Sequence, residues 1–594
     1  MVRVADYVID TVQGAGTKTI FMLTGRGILQ LSDAVAKNER IKGVCTLHEQ
    51  SASYAAMAYA RATGILGACL ISTGCAASNA VTGCLCAYQD SLPVIFISGQ
   101  HSLHETTRFT GLPIRTYGSQ EADIVGMVEH ITKYAVMITD PDRVVYETGK
   151  AVFLAMHGRR GPVWIDIPLD IQGMRIDPEK QEHFAETWED LKYSDSIKDI
   201  VDELYSSSRP LLFIGGGCHC ASAEIKRFVE TIGIPSVYSV SGCDIYGSGN
   251  ELSIGAVSSL GAPRTGNFAF QNADYILVIG SKLCSETIGS MFEKTARGAR
   301  VTVVDIDSIE HSKDGLHIDR FVNADASGFL KALSEQMTKK LDIDEWRNKC
   351  LHWKTIFSID KEQFINEPDT EGRIDLYCFA EKLGERLAED AVLITDAGLE
   401  ELIIPSTVKF RGSQRCLFPA SQGAMGYAIP AVIGAWYAGC REITVVVGDG
   451  SIMMNLQELQ VIVYHKIPVK IIVINNDMYS VIRSRQQDLF RNRTIGNDPS
   501  DGVPSPDFKA ISSAFGFKYI NIYNIEELEN RLNSLYRMEG AVICEVFARK
   551  NQKYFHTSFR RNEEGRMVRP AIEDQSPFMD RDLFKREMIV DPVD

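Results

Sequence analysis

The chain has little of what marks a secreted, membrane-spanning or nucleic-acid-binding protein. Its 14 cysteines include no C-x-x-C pair. Cys84/Cys86 and Cys218/Cys220 are C-x-C, and many others sit in apolar runs as small core residues, so neither a zinc site nor a disulfide framework is indicated. No basic segment followed by an apolar core opens the sequence; no secretory signal is read, and a cytoplasmic location is the expectation. The most apolar stretch, Ala424 to Gly439, is broken by Gly426, Pro430 and Gly434 and carries no spanning signature. Basic charge is in deficit: a net charge of −15 argues against nucleic acid as a partner.

What is present reads as ordinary globular protein, 45% apolar and 23% charged. A length of 594 residues is too great for one core and suggests three or four domains.

The stretch around which the rest is organised runs from Gly448 to Asp477. An apolar β run, Ile443 to Val447, ends in Gly448-Asp449-Gly450-Ser451, and Ile452, Met453, Leu456, Leu459 and Val463 then recur at helical spacing. A second apolar run, Ile471 to Ile474, ends in Asn475-Asn476-Asp477. A carboxylate closing one strand and an amide closing the next stand side by side at the carboxyl edge of a parallel sheet, where such folds bind ligands. Both offer oxygen to a hard cation such as Mg2+. The glycines admit a diphosphate, and the helix opening at Ser451 presents free N–H groups to it. An Asn-Asn turn after a Gly-rich turn is common by itself; Asn476, 27 residues after Asp449, turns the balance toward a site.

GDGSIMMNLQELQVIVYHKIPVKIIVINND resembles the thiamin-diphosphate (ThDP) motif of the acetolactate synthase, pyruvate decarboxylase and benzoylformate decarboxylase superfamily. The resemblance implies Asp449, Asn476 and the Met478 carbonyl as Mg2+ ligands, with Gly448, Gly450 and Ser451 lining the cofactor. It also implies an α/β fold class of three doubly wound parallel-sheet domains with a tail. These are a pyrimidine-binding domain over 1–170, a central nucleotide-fold domain over 190–345, a diphosphate-binding domain over 370–550 and the tail over 551–594.

Earlier in the chain, strand, Gly turn, helix and [LI]-P-V into a strand occurs at Gly74–Ser98 and again at Gly450–Asn475, which suggests two α/β domains of similar build. Glu49 ends a strand and precedes a small-residue helix, a place where an N-cap or solvated acid is usual. HEQSASYAAMAYARATG, however, resembles the family's glutamate segment, and the resemblance gives Glu49 the hydrogen bond to N1′ of the aminopyrimidine. A carboxyl in an apolar pocket can share a proton with that nitrogen and favour the cofactor's imino form. The segment from Gly99 to Gly126 resembles the active-site loop, which nominates Gln120 and His101, with His104 behind them.

Met174 to Ser194 is charge-rich and reads as a linker. RPLLFIGGGCHC then opens a further α/β segment without the G-x-G-x-x-G of a dinucleotide-binding dehydrogenase. It resembles the domain that holds FAD in acetolactate synthases. Lys282 stands where an Arg is expected and Glu286 lies beyond, so a vestigial nucleotide fold without flavin is read, with bound flavin as the alternative. In the last third, Thr395-Asp396-Ala397-Gly398 ends a strand and nominates Gly398. FPASQGAMGYAIPAVIGA resembles the segment in which a bulky side chain, here Met425, props the cofactor into its bent shape while the Gly423 carbonyl accepts from the 4′-amine.

The tail RPAIEDQSPFMDRDLF and the stretch MYSVIRSRQ resemble members of surface-polysaccharide and sugar-nucleotide pathways. Arg483 and Arg485 could meet an anionic acceptor, and the tail is expected to fold over the site mouth. The reading is a ThDP/Mg2+-dependent decarboxylase-carboligase joining a pyruvate-like 2-oxoacid to a carbonyl acceptor, such as a keto-sugar nucleotide. A simple decarboxylase and a silent ThDP-binding paralogue are the alternatives. A homodimer or homotetramer is implied, because in the family the acid and the cradle come from different subunits.

Overall fold

The computed structural model describes residues 1–185, 187, 194–562 and 564–593. Three six-stranded sheets follow one another along the chain, each parallel throughout. The first contains β1 (Thr19–Met22), β2 (Lys42–Cys45), β3 (Gly67–Ile71), β4 (Val94–Gln100), β5 (Tyr134–Met137) and β6 (Val163–Pro168), in the spatial order β2-β1-β3-β4-β6-β5. The second contains β7 (Pro210–Ile214), β8 (Ser236–Ser239), β9 (Ser253–Val257), β10 (Tyr275–Ile279), β11 (Arg300–Asp305) and β12 (Arg320–Asn323), ordered β9-β8-β7-β10-β11-β12. The third contains β13 (Val392–Thr395), β14 (Arg415–Leu417), β15 (Ile443–Gly448), β16 (Val469–Asn475), β17 (Lys518–Ile522) and β18 (Val542–Phe547), ordered β14-β13-β15-β16-β18-β17.

The strands are near-continuous apolar runs because helices cover both faces of a parallel sheet; every residue of β3, β4 and β6 is buried. The first and third sheets share one strand permutation, and the repeated strand-turn-helix-strand pattern maps to the same connection in each, β3 to β4 and β15 to β16.

The contact between these two units explains the small-residue helices. α1 (Glu49–Thr63) joins β2 to β3; α2 (Leu399–Thr407) follows β13; α3 (Ala428–Tyr437) joins β14 to β15. α1 and α3 therefore occupy equivalent connections, and they pack on each other. A Cβ on Gly434 would lie 2.1 Å from the Ala55 carbonyl and 2.9 Å from the Ala58 methyl. Residues 426–435 of the apolar stretch are thus buried, with α3 packed on α1 of the first unit. Among the described residues no helix is long and apolar enough to cross a membrane.

Two connecting segments are pinned to the units. Arg175–Ile176, at the start of the predicted linker, pairs antiparallel with Val2–Arg3; residues 186 and 188–193 of that linker lie outside the described residues. The tail packs its backbone on the second unit. Gly261 donates to the Phe555 carbonyl at 2.7 Å, Thr557 to Ser259 at 2.9 Å, and Arg264 to the Gln575 carbonyl at 3.0 Å. Its carboxylates hold it there: Glu573 meets Arg297 at 2.8 Å, and Glu587 meets Lys349 at 2.8 Å.

Candidate active site

The order of the third sheet reverses between β13 and β15, and ligands bind beyond the carboxyl ends of strands at such a switch point. Asp449 follows β15 immediately, and its N–H donates to Ile474 of the neighbouring strand at 3.0 Å. Its carboxylate accepts from the N–H groups of Gly450 (2.8 Å) and Asp477 (2.9 Å) and from the Ser505 hydroxyl (2.9 Å). Burial pushes this carboxyl up to about 6 against those three donors. Asn476 accepts from the Met478 N–H at 3.1 Å and donates to Ser480 at 2.9 Å. The backbone reverses at Asp477 (φ +59°).

Glycine is required where this edge meets its neighbours. A Cβ on Gly450 would lie 2.1 Å from the Tyr479 ring. Gly398, Gly423 and Gly426 all have left-handed φ (+94°, +52° and +80°), conformations that cost other residues strain. The Gly426 N–H donates to Ser451 at 2.9 Å, and Ser451 donates to Asp396 at 2.8 Å. The half-buried Met425 is thereby carried on a turn fastened to the strand-end cradle. Asp396, fully buried, is pushed up to about 7 by desolvation.

Glu49 opens α1 and is buried, and its carboxylate accepts from the Asn79 amide at 2.9 Å. The first turn of that helix reaches the third unit. Ser51 donates to Asn455 at 2.9 Å, and Asn455 donates to Gln50 at 3.0 Å and to the Gly426 carbonyl at 2.8 Å. Among the described residues no hydrogen bond joins Glu49 itself to Asp449, Asn476 or Gly423.

Three family models match the chain in order: the N-terminal, central and C-terminal domains of the thiamine pyrophosphate enzymes, over residues 2–127, 197–333 and 396–546. The acetolactate synthase large subunit of Porphyra purpurea is 30% identical over 570 residues, covering 91% of this chain and 92% of that protein.

The chain belongs to the thiamine pyrophosphate enzyme family.

Within it, acetolactate synthases recur among the similar proteins. The large subunit of Lactococcus lactis subsp. lactis is 29% identical, covering 92% of each chain. Acetolactate synthase 2, chloroplastic, of Nicotiana tabacum is 28% identical, covering 91% of this chain and 81% of that one. This thiamine pyrophosphate enzyme is accordingly an acetolactate synthase-like member.

The remaining nominated residues of this thiamine pyrophosphate enzyme lie on the loop after β4. His101 is turned inward, its Nδ1 2.6 Å from Glu105 and its Nε2 buried without a hydrogen-bond partner. His104 faces outward against Phe109 at 5.1 Å. Gln120 is exposed at φ +68°, and its carbonyl lies 2.1 Å from where a side chain on Gly74 would begin. The loop is organised by Glu121, which sequence reading passed over. Its buried carboxylate accepts from Thr107 N–H (3.0 Å), Thr107 hydroxyl (2.7 Å) and Tyr117 N–H (3.1 Å).

Four further residues went unnoticed. Ser505 and Asn455 hold the cradle by the bonds above. Glu400 places Oε2 2.8 Å from the Cβ position of Gly398 and 3.3 Å from that of Gly448, and burial pushes it up to about 8. Glu401 approaches Gly423 in the same way, Oε2 at 2.5 Å. In sequence, Leu399-Glu400-Glu401 looks like solvated acids favourably placed in a helix's first turn, and no signal distinguishes it from one.

Proposed function

We propose that the protein decarboxylates a pyruvate-like 2-oxoacid and ligates the resulting acyl group to a carbonyl acceptor, using ThDP and Mg2+. The observation that carries this is the Asp449–Asn476 edge with its glycine cradle, found on a chain whose acetolactate synthase relatives align over nearly its full length. ThDP, when bound, supplies the carbanion-stabilising chemistry that such a reaction needs.

The residues present fit both groups. The oxygens on this edge are a carboxylate, an amide and the Met478 carbonyl. Among the described residues no set of three His, Cys, Asp or Glu lies close enough to hold a metal by itself. Such a donor set suits Mg2+, which keeps positions for phosphate and water. Glu400 is uncharged near neutral pH and so does not repel a diphosphate beside Gly398 and Gly448. In this reading Glu49 bonds N1′, the Gly423 carbonyl takes the 4′-amine, Met425 props the bent cofactor, and Gln120 and His101 face the substrate. Gly398, Gly448, Gly450 and Ser451 line the diphosphate.

By the resemblance to a family in which the acid and the cradle come from different subunits, we read the working unit as a homodimer or homotetramer in which a second copy supplies Glu49. For the central unit we propose no flavin: Lys282 is engaged by Ser421 at 2.7 Å, and the Gly280 carbonyl lies 2.1 Å from the Cβ position of Gly215. A preparation absorbing at about 450 nm would overturn that. The acceptor is read as sugar-like, in a surface-polysaccharide or sugar-nucleotide pathway of the cytoplasm. Pyruvate incubated with aldehydes, ketones and keto-sugar nucleotides, with products followed by mass spectrometry, tests the whole reading. A longer ketol supports it, acetaldehyde alone makes the protein a simple decarboxylase, and no CO2 makes it a silent paralogue.

A further inference from the structure

A cavity of about 630 Å3 opens on the third unit, and the reaction proposed above makes no use of it. Its walls come from β17, β18, the start of α4 (Phe508–Phe515) and Arg531 of α5 (Ile525–Arg537). Glu545 and Phe547 lie at the end of β18, and Tyr523 follows β17. The cavity therefore sits at the carboxyl edge of the sheet, where such folds bind ligands, on the side of β16 away from Asp449.

The acids of this cavity are engaged and its bases are not. Asp507 caps α4, accepting from the Ala510 N–H at 2.9 Å. Glu545, buried, accepts from the Tyr519 hydroxyl at 2.5 Å and from the Asn475 amide at 2.6 Å. Among the described residues Lys509 forms no hydrogen bond or ion pair, and Arg531 has one partner, Glu527, 3.5 Å from its Nε. Donors left open in this way call for an anion, and a guanidinium with an ammonium suits phosphate. In the same cavity the exposed Tyr523 ring stacks on Phe547, centroids 4.7 Å apart and planes 17° apart. An open aromatic face accepts a planar base by stacking.

Two routes join these walls to Asp449, and both end on the same carboxylate oxygen. Along the first, Tyr519 bonds Glu545, Glu545 bonds Asn475, and the Asn475 Oδ1 accepts from the Asp477 N–H at 3.2 Å. That N–H also donates to the Asp449 Oδ2 at 2.9 Å. Along the second, Ser505 donates to the Asp449 Oδ2 at 2.9 Å from a position two residues before Asp507. We infer that the cavity binds a nucleoside phosphate, base on Tyr523 and phosphate on Lys509 and Arg531, and that its occupation tightens the hold on ThDP and Mg2+. A ligand packed on Tyr519 and on residues 507–509 holds both segments that carry donors to Asp449, so less ordering is left for the cofactor to impose. The coupling is reciprocal: bound cofactor strengthens nucleotide binding by the same factor. The coupling rests on the ThDP/Mg2+ reading; the nucleotide site itself does not.

The test is equilibrium dialysis of the full chain against ADP, UDP or inorganic phosphate, at saturating ThDP and fixed free Mg2+ so that the diphosphate cradle is already filled. A nucleotide should bind at least tenfold tighter than phosphate. Tyr523→Ala and Arg531→Ala, both at accessible positions, should each weaken it at least tenfold. ThDP titrated with and without that nucleotide should show at least a threefold gain in affinity. Tyr519→Phe should lose the gain while binding the nucleotide within a few fold of the parent. No binding of either nucleotide, binding no tighter than that of phosphate, or binding unchanged in Tyr523→Ala or in Arg531→Ala overturns the site. Nucleotide binding that leaves ThDP affinity unchanged, or a gain that survives in Tyr519→Phe, overturns the coupling. Failure of ThDP to bind at all overturns the cofactor reading and the coupling with it, and the same variants dialysed against nucleotide alone still decide the site.

Discussion

Ser505 donates its hydroxyl to the Asp449 carboxylate at 2.9 Å, tying a distant loop to the strand end that the nominated metal ligand occupies. Ser505→Ala removes one of three donors from a buried carboxylate. A hydrogen bond to a charged group contributes about 1.5–3 kcal/mol. The apparent affinity for ThDP with Mg2+ should therefore weaken at least tenfold, read by quenching of intrinsic fluorescence on titration. An unchanged titration curve would show that the loop does not orient Asp449.

The two ends of the site are separable by mutation. Glu49→Gln should leave ThDP binding within a few fold but lower CO2 release from pyruvate by about 10²–10⁴, the range for loss of a proton-transfer group. Asp449→Ala should abolish Mg2+-dependent binding itself. Equilibrium dialysis against ThDP, run beside a CO2 assay, distinguishes these outcomes, and identical defects in both variants would refute the division of labour.

Stability should fall as pH rises from about 4 to about 7. Asp166 is fully buried, bonded by Ser98 and Gln100, and desolvation pushes it up to about 7; Glu458, buried beside Leu47, is likewise pushed up to about 7. An unfolded aspartate titrates near 3.9. Between those values the folded chain binds more protons than the unfolded one, so raising pH favours unfolding. Asp166→Asn should flatten the pH dependence of urea midpoints in that window; a slope equal to the parent's would exclude Asp166 as a source.

The α1–α3 contact has no spare volume. Gly434→Ala sets a methyl 2.1 Å from the Ala55 carbonyl, a backbone atom that cannot step aside. Overpacking of this kind costs about 1–3 kcal/mol. Calorimetry should show a lower Tm for Gly434→Ala, and a rise would mean that the helices can separate freely.

Truncation after Arg560 should destabilise the second unit. It removes Glu573 from Arg297, strips the Gln575 carbonyl from the buried Arg264, and takes Glu587 from Lys349 and Trp353. Loss of charged partners from buried positions should make that unit melt first. Hydrogen exchange concentrated in β7–β12 would support this; protection equal to the full chain would contradict it.

The fold was largely readable because parallel strands are continuous apolar runs with glycine at their ends, and because the repeated Leu-Pro-Val and Ile-Pro-Val entries flagged the duplicated build. Asp449 and Asn476 were legible for the same reason: each sits at a strand end, at a distance set by one strand-helix-strand unit. Ser505, Asn455, Glu121, Glu400 and Glu401 were not, since their roles come from contacts between segments far apart in the chain. The tail's contacts with the second unit were not legible on similar grounds, its acids finding their basic partners only after folding.

Equivalent helices from two sheets of identical strand order, packed against each other, amount to an internal pseudo-twofold. Such an arrangement lets duplicated scaffolds diverge side chain by side chain while their mutual geometry stays the same. A lopsided molecule can then be gripped by unlike residues on matching frames, and drift on one frame leaves the other's half of the grip intact.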